Sequence, residues 1–451
     1  MKGTHRVARK ASWDAARAAL LLALLASEPS AAFHLQSEVV NGRLTKARWR
    51  PASLPIPFVA NDQPPNLLLN LVSNSRPLAA IEAALPVWEI PPAGVRLNGT
   101  VATTDVGADG INLITFADTP KNRDASKDAS AVTVAWSVQQ GSRPRTFETD
   151  IIFNPMSTLA TDGRASAIDI QSTLTHELGH AIGLPHTPIV AATMFPFNNA
   201  GQTHQRTLSP DDVAAVRALY GIDPGPGLGA LTGRVVTTAD APVFGAHVVA
   251  TDAEGIVHVS AVTDWEGDFT IPSLPPGSYR VYAEPLDGPA TPDNILGAAG
   301  KDTKHPVLKE FRTAFAGGNF APALVAVTAG QTTSLPPIRV EPERPLLNLQ
   351  HLNWSLDGRD PWSGDTLRMI PGRSGVLAVG GEGVATLPLV SVGFDGTGIW
   401  LDHGRIGRDR DKWLFVPFFI RGDARPGARS LHIVTARERA AFTGLFEVVA
   451  R

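Results

Sequence analysis

The chain has 451 residues, more than one ordinary hydrophobic core organises, so two to four domains are expected. A formal net charge of −3 leaves no basic field for phosphate backbones and argues against a nucleic-acid partner. The absence of cysteine excludes disulfides, thiolate ligands and a cysteine nucleophile.

The N-terminus reads as a signal peptide over residues 1–32. Lys2, Arg6, Arg9, Lys10 and Arg17 precede the apolar run Ala18–Ala26, and Ser30-Ala31-Ala32 offers small residues for cleavage. The run is far shorter than the roughly 20 residues that span a bilayer. A secreted, extracellular protein follows, and the lack of cysteine points to a bacterial source.

Ala79–Leu85 shows helical spacing, with Pro86 near its end. Ile111–Phe116, Val132–Val138 and Ile151–Phe153 read as strands. A second helix is expected from the N-cap Asp169, with Ile170, Leu174, Leu178, Ala181 and Ile182 as its buried stripe. Ser209 caps a third, Pro210 opens it, Val213, Val216 and Leu219 face inward, and Gly221 ends it.

Asp223–Gly229 is a Pro/Gly linker. Short alternating strands follow: Leu231–Val236, His247–Thr251, Asp268–Ile271 and Tyr279–Ala283. The pattern lapses over about 286–320 and resumes at Val325–Val340. This predicts a β-sandwich over 230–342. Residues 345–451 predict a second, through Val376–Val379, Gly398–Leu401, Trp413–Ile420, Leu431–Val434 and Gly444–Val449. Asp264 and Glu266 are read as turn carboxylates. Trp354, Trp362 and Trp400 are read as core, with a carbohydrate surface as the alternative.

Thr175–Thr187 (THELGHAIGLPHT) carries the chemistry. His176 and His180 stand four apart on one helix face and can converge on one ion. Glu177 then points beside that ion, where a general base toward water belongs. Gly183 can take positive φ and reverse the chain, Pro185 stops the helix from resuming, and His186 can return as a third ligand. Three ligands leave one zinc position open, as in a catalytic site.

This segment resembles the metzincin zinc peptidases, and most closely the matrixin group, which also place Ser or Thr at the position of Thr187. Ala192–Pro196 resembles the Met-turn, with Met194 beneath the metal. Ser209–Gly221 resembles the closing helix, and Thr149–Asn154 the strand before the active-site helix. By the resemblance, Val132–Val138 is the edge strand on which extended substrate is added, and residues 188–203 form the specificity wall. The implied fold for residues 33–225 is an α+β domain: a twisted mixed sheet with an active-site helix. The chain departs from matrix metalloproteinases in lacking a propeptide cysteine and any histidine between His34 and His176, so one catalytic zinc is expected. Pro196 replaces the metal-side tyrosine of some metzincins. Asp118, Asp124 and Asp128 could offer oxygen ligands to calcium, although a solvated polar loop explains them more simply.

Leu231–Val235, Thr263–Phe269 and Leu274–Val281 resemble the carboxypeptidase regulatory-like, transthyretin-type sandwich. Ala424–Leu431 gives the last block an Ig-like resemblance. Both are expected as spacers or adhesion modules making surface or matrix contacts. The expected function is a secreted zinc endopeptidase acting on extracellular protein or peptide substrates. The alternative is an adhesion protein with an inert zinc domain.

Overall fold

The structure is a computed structural model and describes residues 37–40, 43–62, 70–140, 143–319, 322–359, 367–409 and 413–450. The signal segment and Trp362 lie outside these residues. No described helix is long and apolar enough to cross a membrane.

A hairpin, β1 (Ser37–Val40) and β2 (Arg43–Lys46), precedes the first block. That block is built on β3 (Ile56–Asn61), β4 (Val95–Val101), β5 (Leu113–Thr115), β6 (Ala131–Gln140) and β7 (Arg143–Phe153), in the sheet order β4-β3-β5-β7-β6. β3 pairs parallel with β4 and β5, β5 pairs parallel with β7, and the edge strand β6 is antiparallel to β7. β3 buries every second side chain (Ile56, Phe58 and Ala60), the period of a strand with one face inward. Ile151, Ile152 and Phe153 of β7 are all buried, as expected of an inner strand covered on both faces.

Four helices belong to this block: α1 (Pro77–Ala84), α2 (Pro120–Ser126), α3 (Ile170–Ile182) and α4 (Pro210–Tyr220). α1 continues as a 3-10 turn, Leu85–Trp88, because Pro86 can no longer supply an amide to the ladder. α3 begins at its Asp169 cap, whose carboxylate accepts Ser172 N and also pairs with Arg206. Twelve of its thirteen residues are buried, where a single stripe was predicted. The polar residues are buried too because β6, β7, α1 with its 3-10 extension and the turn His204–Arg206 all pack around the helix.

α4 starts at the expected Ser209 cap, which closes a capping box with Asp212, and ends on Gly221 at φ 63°. Val216 is fully buried, whereas Val213 and Leu219 are half-buried. Ala214 is buried in a different core, that of the second block, so α4 is shared between two layers.

The second block contains β10 (Gly229–Thr237), β11 (His247–Asp252), β12 (Ile256–Val262), β13 (Asp268–Leu274) and β14 (Gly277–Glu284), following the two short strands β8 (Leu159–Ala160) and β9 (Ile168–Asp169). The lapse in pattern at 286–320 holds a short helix, α5 (Pro292–Leu296), with its own capping box from Thr291 and Asn294. The third block includes the predicted strands, Trp413–Ile420 with the expected bounds and others in longer form, among them Gly427–Thr435 and Arg439–Val448. Two sandwiches were expected, with nothing in the sequence to say how they meet. In the structure, β12 pairs with Gly427–Thr435 (Ile256 with Arg429, Val257 with Ala428), and the sheets of the two blocks run into one. An exposed edge strand carries unpaired amides and carbonyls, and this junction satisfies part of one. Tyr282 Oη, buried, lies 2.8 Å from Thr443 Oγ1 across it.

Asp264 accepts Glu266 N and Asp268 N, the turn role expected of it. Trp354 is half-buried, but Trp400 is 56% exposed beside exposed Phe419 on an outer strand, which corrects its assignment to the core.

The first block is fastened to both others. Asp211 Oδ1 accepts Ser260 N at 2.8 Å, and Val190 N and Ala191 N donate to Thr443 O and Gly444 O. Burial lifts the Asp211 carboxyl to about 6. A carboxyl raised in the folded state above its value of 3.8 makes stability fall as pH climbs from about 4 through about 6, and level off beyond. Asp211→Asn keeps an acceptor for Ser260 and removes that loss. The variant is expected to gain on the order of 2 kcal/mol at pH 7 and almost nothing at pH 4 in urea unfolding. Lower stability than the parent at pH 7 would contradict this assignment.

Candidate metal centre

α3 presents His176 and His180 one turn apart, and the chain then leaves the helix at Gly183. Its φ of 112° and ψ of 14° are left-handed, and a β-carbon there would lie 2.9 Å from Ala47 O. Glycine alone suits both demands. The reversal carries Leu184 O back to His180 and brings His186 round to the other two rings. The ligand nitrogens of His176, His180 and His186 lie within 4.8 Å of one another.

Each imidazole is held in the same way. His176 Nδ1 lies 2.6 Å from Thr193 O, His180 Nδ1 2.9 Å from Leu184 O and His186 Nδ1 2.9 Å from Asn294 O. A carbonyl only accepts, so each Nδ1 carries the proton and each Nε2 is left as a lone pair. Burial drives the rings toward neutrality: His176 falls to about 3, His186 to about 4, and His180 lies well below its ordinary value. The neighbouring His186 depresses His176 and His180 further.

Three neutral Nε2 atoms therefore face one another. His176 Nε2 is buried without a hydrogen-bond partner, and His180 Nε2 sits 3.1 Å from His186 Nε2. Two lone pairs at that distance repel unless a cation lies between them. Tetrahedral ligands about 2.05 Å from zinc stand about 3.3 Å apart, close to this spacing. The donor set fits a borderline-soft divalent ion that accepts imidazole.

Glu177 is 2% exposed and adjoins a cleft of about 290 Å³ lined by Ser130, Ala131, Thr173, His176, Pro196, Asn198 and Gln205. Burial pushes its carboxyl up to about 7, opposed by the Thr133 hydroxyl, which donates to Oε2 at 2.7 Å. One carboxylate oxygen is thus fixed by edge strand β6.

Met194 is 2% exposed and packs against α3 at Gly179, where a β-carbon would stand 2.3 Å from its sulfur and 2.8 Å from Trp88. Trp88 Nε1 also donates to Thr175 O at 2.7 Å. Asp212 braces the turn: its carboxylate accepts Thr193 N and Met194 N at 3.0 Å, together with Ser209 N at 2.7 Å. It thereby sets the carbonyl that holds His176. The sequence marks none of Asp212, Thr133 and Asn294 as a support of the site.

The calcium expectation finds no support. Arg123 pairs with Asp118 and Lys127 with Asp124, so cations of the chain itself face two of the three carboxylates. Among the described residues, the three histidines are the group arranged for a metal ion.

Asp212→Ala should strand two buried amides and one partly buried one. A loss of about 2–5 kcal/mol is expected in denaturant unfolding. An unchanged midpoint would show that the Met194 turn holds without Asp212.

Comparison with known proteins agrees with this geometry. Residues 69–221 match the matrixin family model, and residues 230–305 match the carboxypeptidase regulatory-like domain. Matrilysin of Rattus norvegicus is 36% identical over 61 residues, 14% of this chain and 23% of that protein. Metalloendoproteinase 1 of Glycine max is 41% identical over 59 residues, 13% of this chain and 19% of that one. Metalloendoproteinase 1-MMP of Arabidopsis thaliana is 42% identical over 66 residues, 15% and 18%. These matches span less than a quarter of each relative's length. The chain carries a matrixin domain over residues 69–221, followed by a carboxypeptidase regulatory-like domain over residues 230–305.

Proposed function

We propose that the protein is a secreted, bacterial zinc endopeptidase that hydrolyses peptide bonds of extracellular proteins. One observation carries this reading. Three neutral, buried imidazoles turn their Nε2 atoms to one point, and a carboxylate stands beside it at the edge of a cleft. A structural zinc site would be closed by a fourth protein ligand. Among the described residues no fourth His, Cys, Asp or Glu joins the three, and His176 shares a cleft with Glu177 instead.

His176, His180 and His186 would hold zinc, and Gly183 allows the third to reach it. When bound, zinc supplies Lewis acidity toward water and toward the scissile carbonyl. Glu177 accepts the proton of the attacking water and delivers it to the leaving amine. Thr133 keeps one of its oxygens occupied and thereby orients the other. Met194 and Trp88 pack beneath α3 and set the height of the two helical ligands. β6 lies at the sheet edge, where an extended peptide can add a further strand. An adhesion protein with an inert metal domain would have no use for a buried acid at this point.

Glu177→Gln should retain zinc while losing about 10²–10⁴-fold in peptide cleavage. Zinc content by mass spectrometry and turnover of a casein or gelatin substrate provide the two readings. Chelation should abolish activity of the parent, and added zinc should restore it. Undiminished cleavage by Glu177→Gln would refute the base. Activity indifferent to chelation would refute the metal.

A further inference from the structure

We propose that the second block completes the metal centre: the main-chain carbonyl of Asn294, displayed by α5, is the positioning group for the third ligand His186. The inference rests on the reading of the three histidines as a zinc site.

The carbonyls that hold His176 and His180 come from the first block, at Thr193 and Leu184. The one that holds His186 comes from 108 residues further along the chain, at 2.9 Å. The ring needs this bond for a physical reason. His186 lies beyond Gly183 and outside α3, so no helical backbone limits its rotation. A fixed acceptor at Nδ1 sets the tautomer and aims Nε2 at the other two rings.

The turn that displays the carbonyl is built to stay in place. Asn294 Oδ1 accepts Thr291 N at 2.9 Å and Thr291 Oγ1 at 2.8 Å, closing a capping box around a helix only five residues long. Pro292 stands first in that helix. Ile295 and Leu296 are 7% and 6% exposed, in one core cluster with Val190 and Phe195 of the loop that follows His186. A β-carbon at Gly300 would lie 2.9 Å from Pro292 O, so the chain closes tightly behind the helix. The α5 turn and the loop beside the third ligand are therefore one packed unit.

The full chain, stripped of metal, is titrated with zinc against a chromogenic chelator at fixed pH. Replacing Pro292–Lys301 by a Gly/Ser linker of equal length removes α5 and with it the fixed position of that carbonyl. Zinc affinity is expected to fall about 10–100-fold, the usual cost of losing an outer-shell partner. Leu274→Ala, a cavity in the second block's own core, destabilises without touching the turn and should leave affinity unchanged. The double variant Thr291→Val/Asn294→Leu opens the capping box with little loss of chain and is expected to weaken zinc in the same direction. Asn294→Asp keeps an acceptor for Thr291 and should retain parental affinity.

Affinity within twofold of the parent in either turn variant overturns the proposal, as does an equal loss in Leu274→Ala. A parent chain that binds no zinc would sink the metal reading itself. A parent that binds normally beside an unaffected turn variant sinks only the role of Asn294.

Discussion

The site depends on where three protons sit. Each ring gives its Nδ1 proton to a backbone carbonyl, and this alone makes three buried histidines converge as lone pairs rather than as donors. Burial supplies the other half, since a charged imidazolium would cost too much in so dry a place. The arrangement is unfavourable without an ion and favourable with one. Much of the first block can be understood as scaffolding for those carbonyls. Gly183 returns Leu184, and Asp212 fixes Thr193 through the turn at Met194.

The supports of Glu177 follow the same logic. Its backbone position comes from α3, Thr133 of the edge strand packed on that helix supplies a hydroxyl, and its surroundings keep water scarce. Packing by the sheet, α1 and the turn at His204–Arg206 explains why polar residues of α3 are as buried as its leucines. The second and third blocks are packed against the site's own loops.

What the sequence made legible was local. The helix at 170–182, its Asp169 cap, its Gly183 exit and the Ser209 cap each depend on residues a few positions apart, and each stands where expected. Strand positions were legible as far as apolar alternation went, although Ile56–Asn61, interrupted by Pro57, and Ile256–Val262 escaped it. Distant pairings were not legible. Thr133 lies 44 residues from Glu177, and nothing in the sequence of β6 marks its hydroxyl as different from any other on a strand. Asn294 acts through its main chain, which every residue possesses, so no residue type could reveal it. The fusion of the two β blocks was hidden for a similar reason, because edge pairing is a main-chain event. Trp400 was misplaced because aromatic content predicts burial only on average.

The most direct test is zinc-edge X-ray absorption on the metal-loaded chain. The account predicts three imidazoles, recognised by their outer-shell scattering, with nitrogens at about 2.0–2.1 Å and one further oxygen donor, and loss of one imidazole in His186→Ala. A shell of four protein ligands, or a spectrum unchanged by His186→Ala, would contradict it.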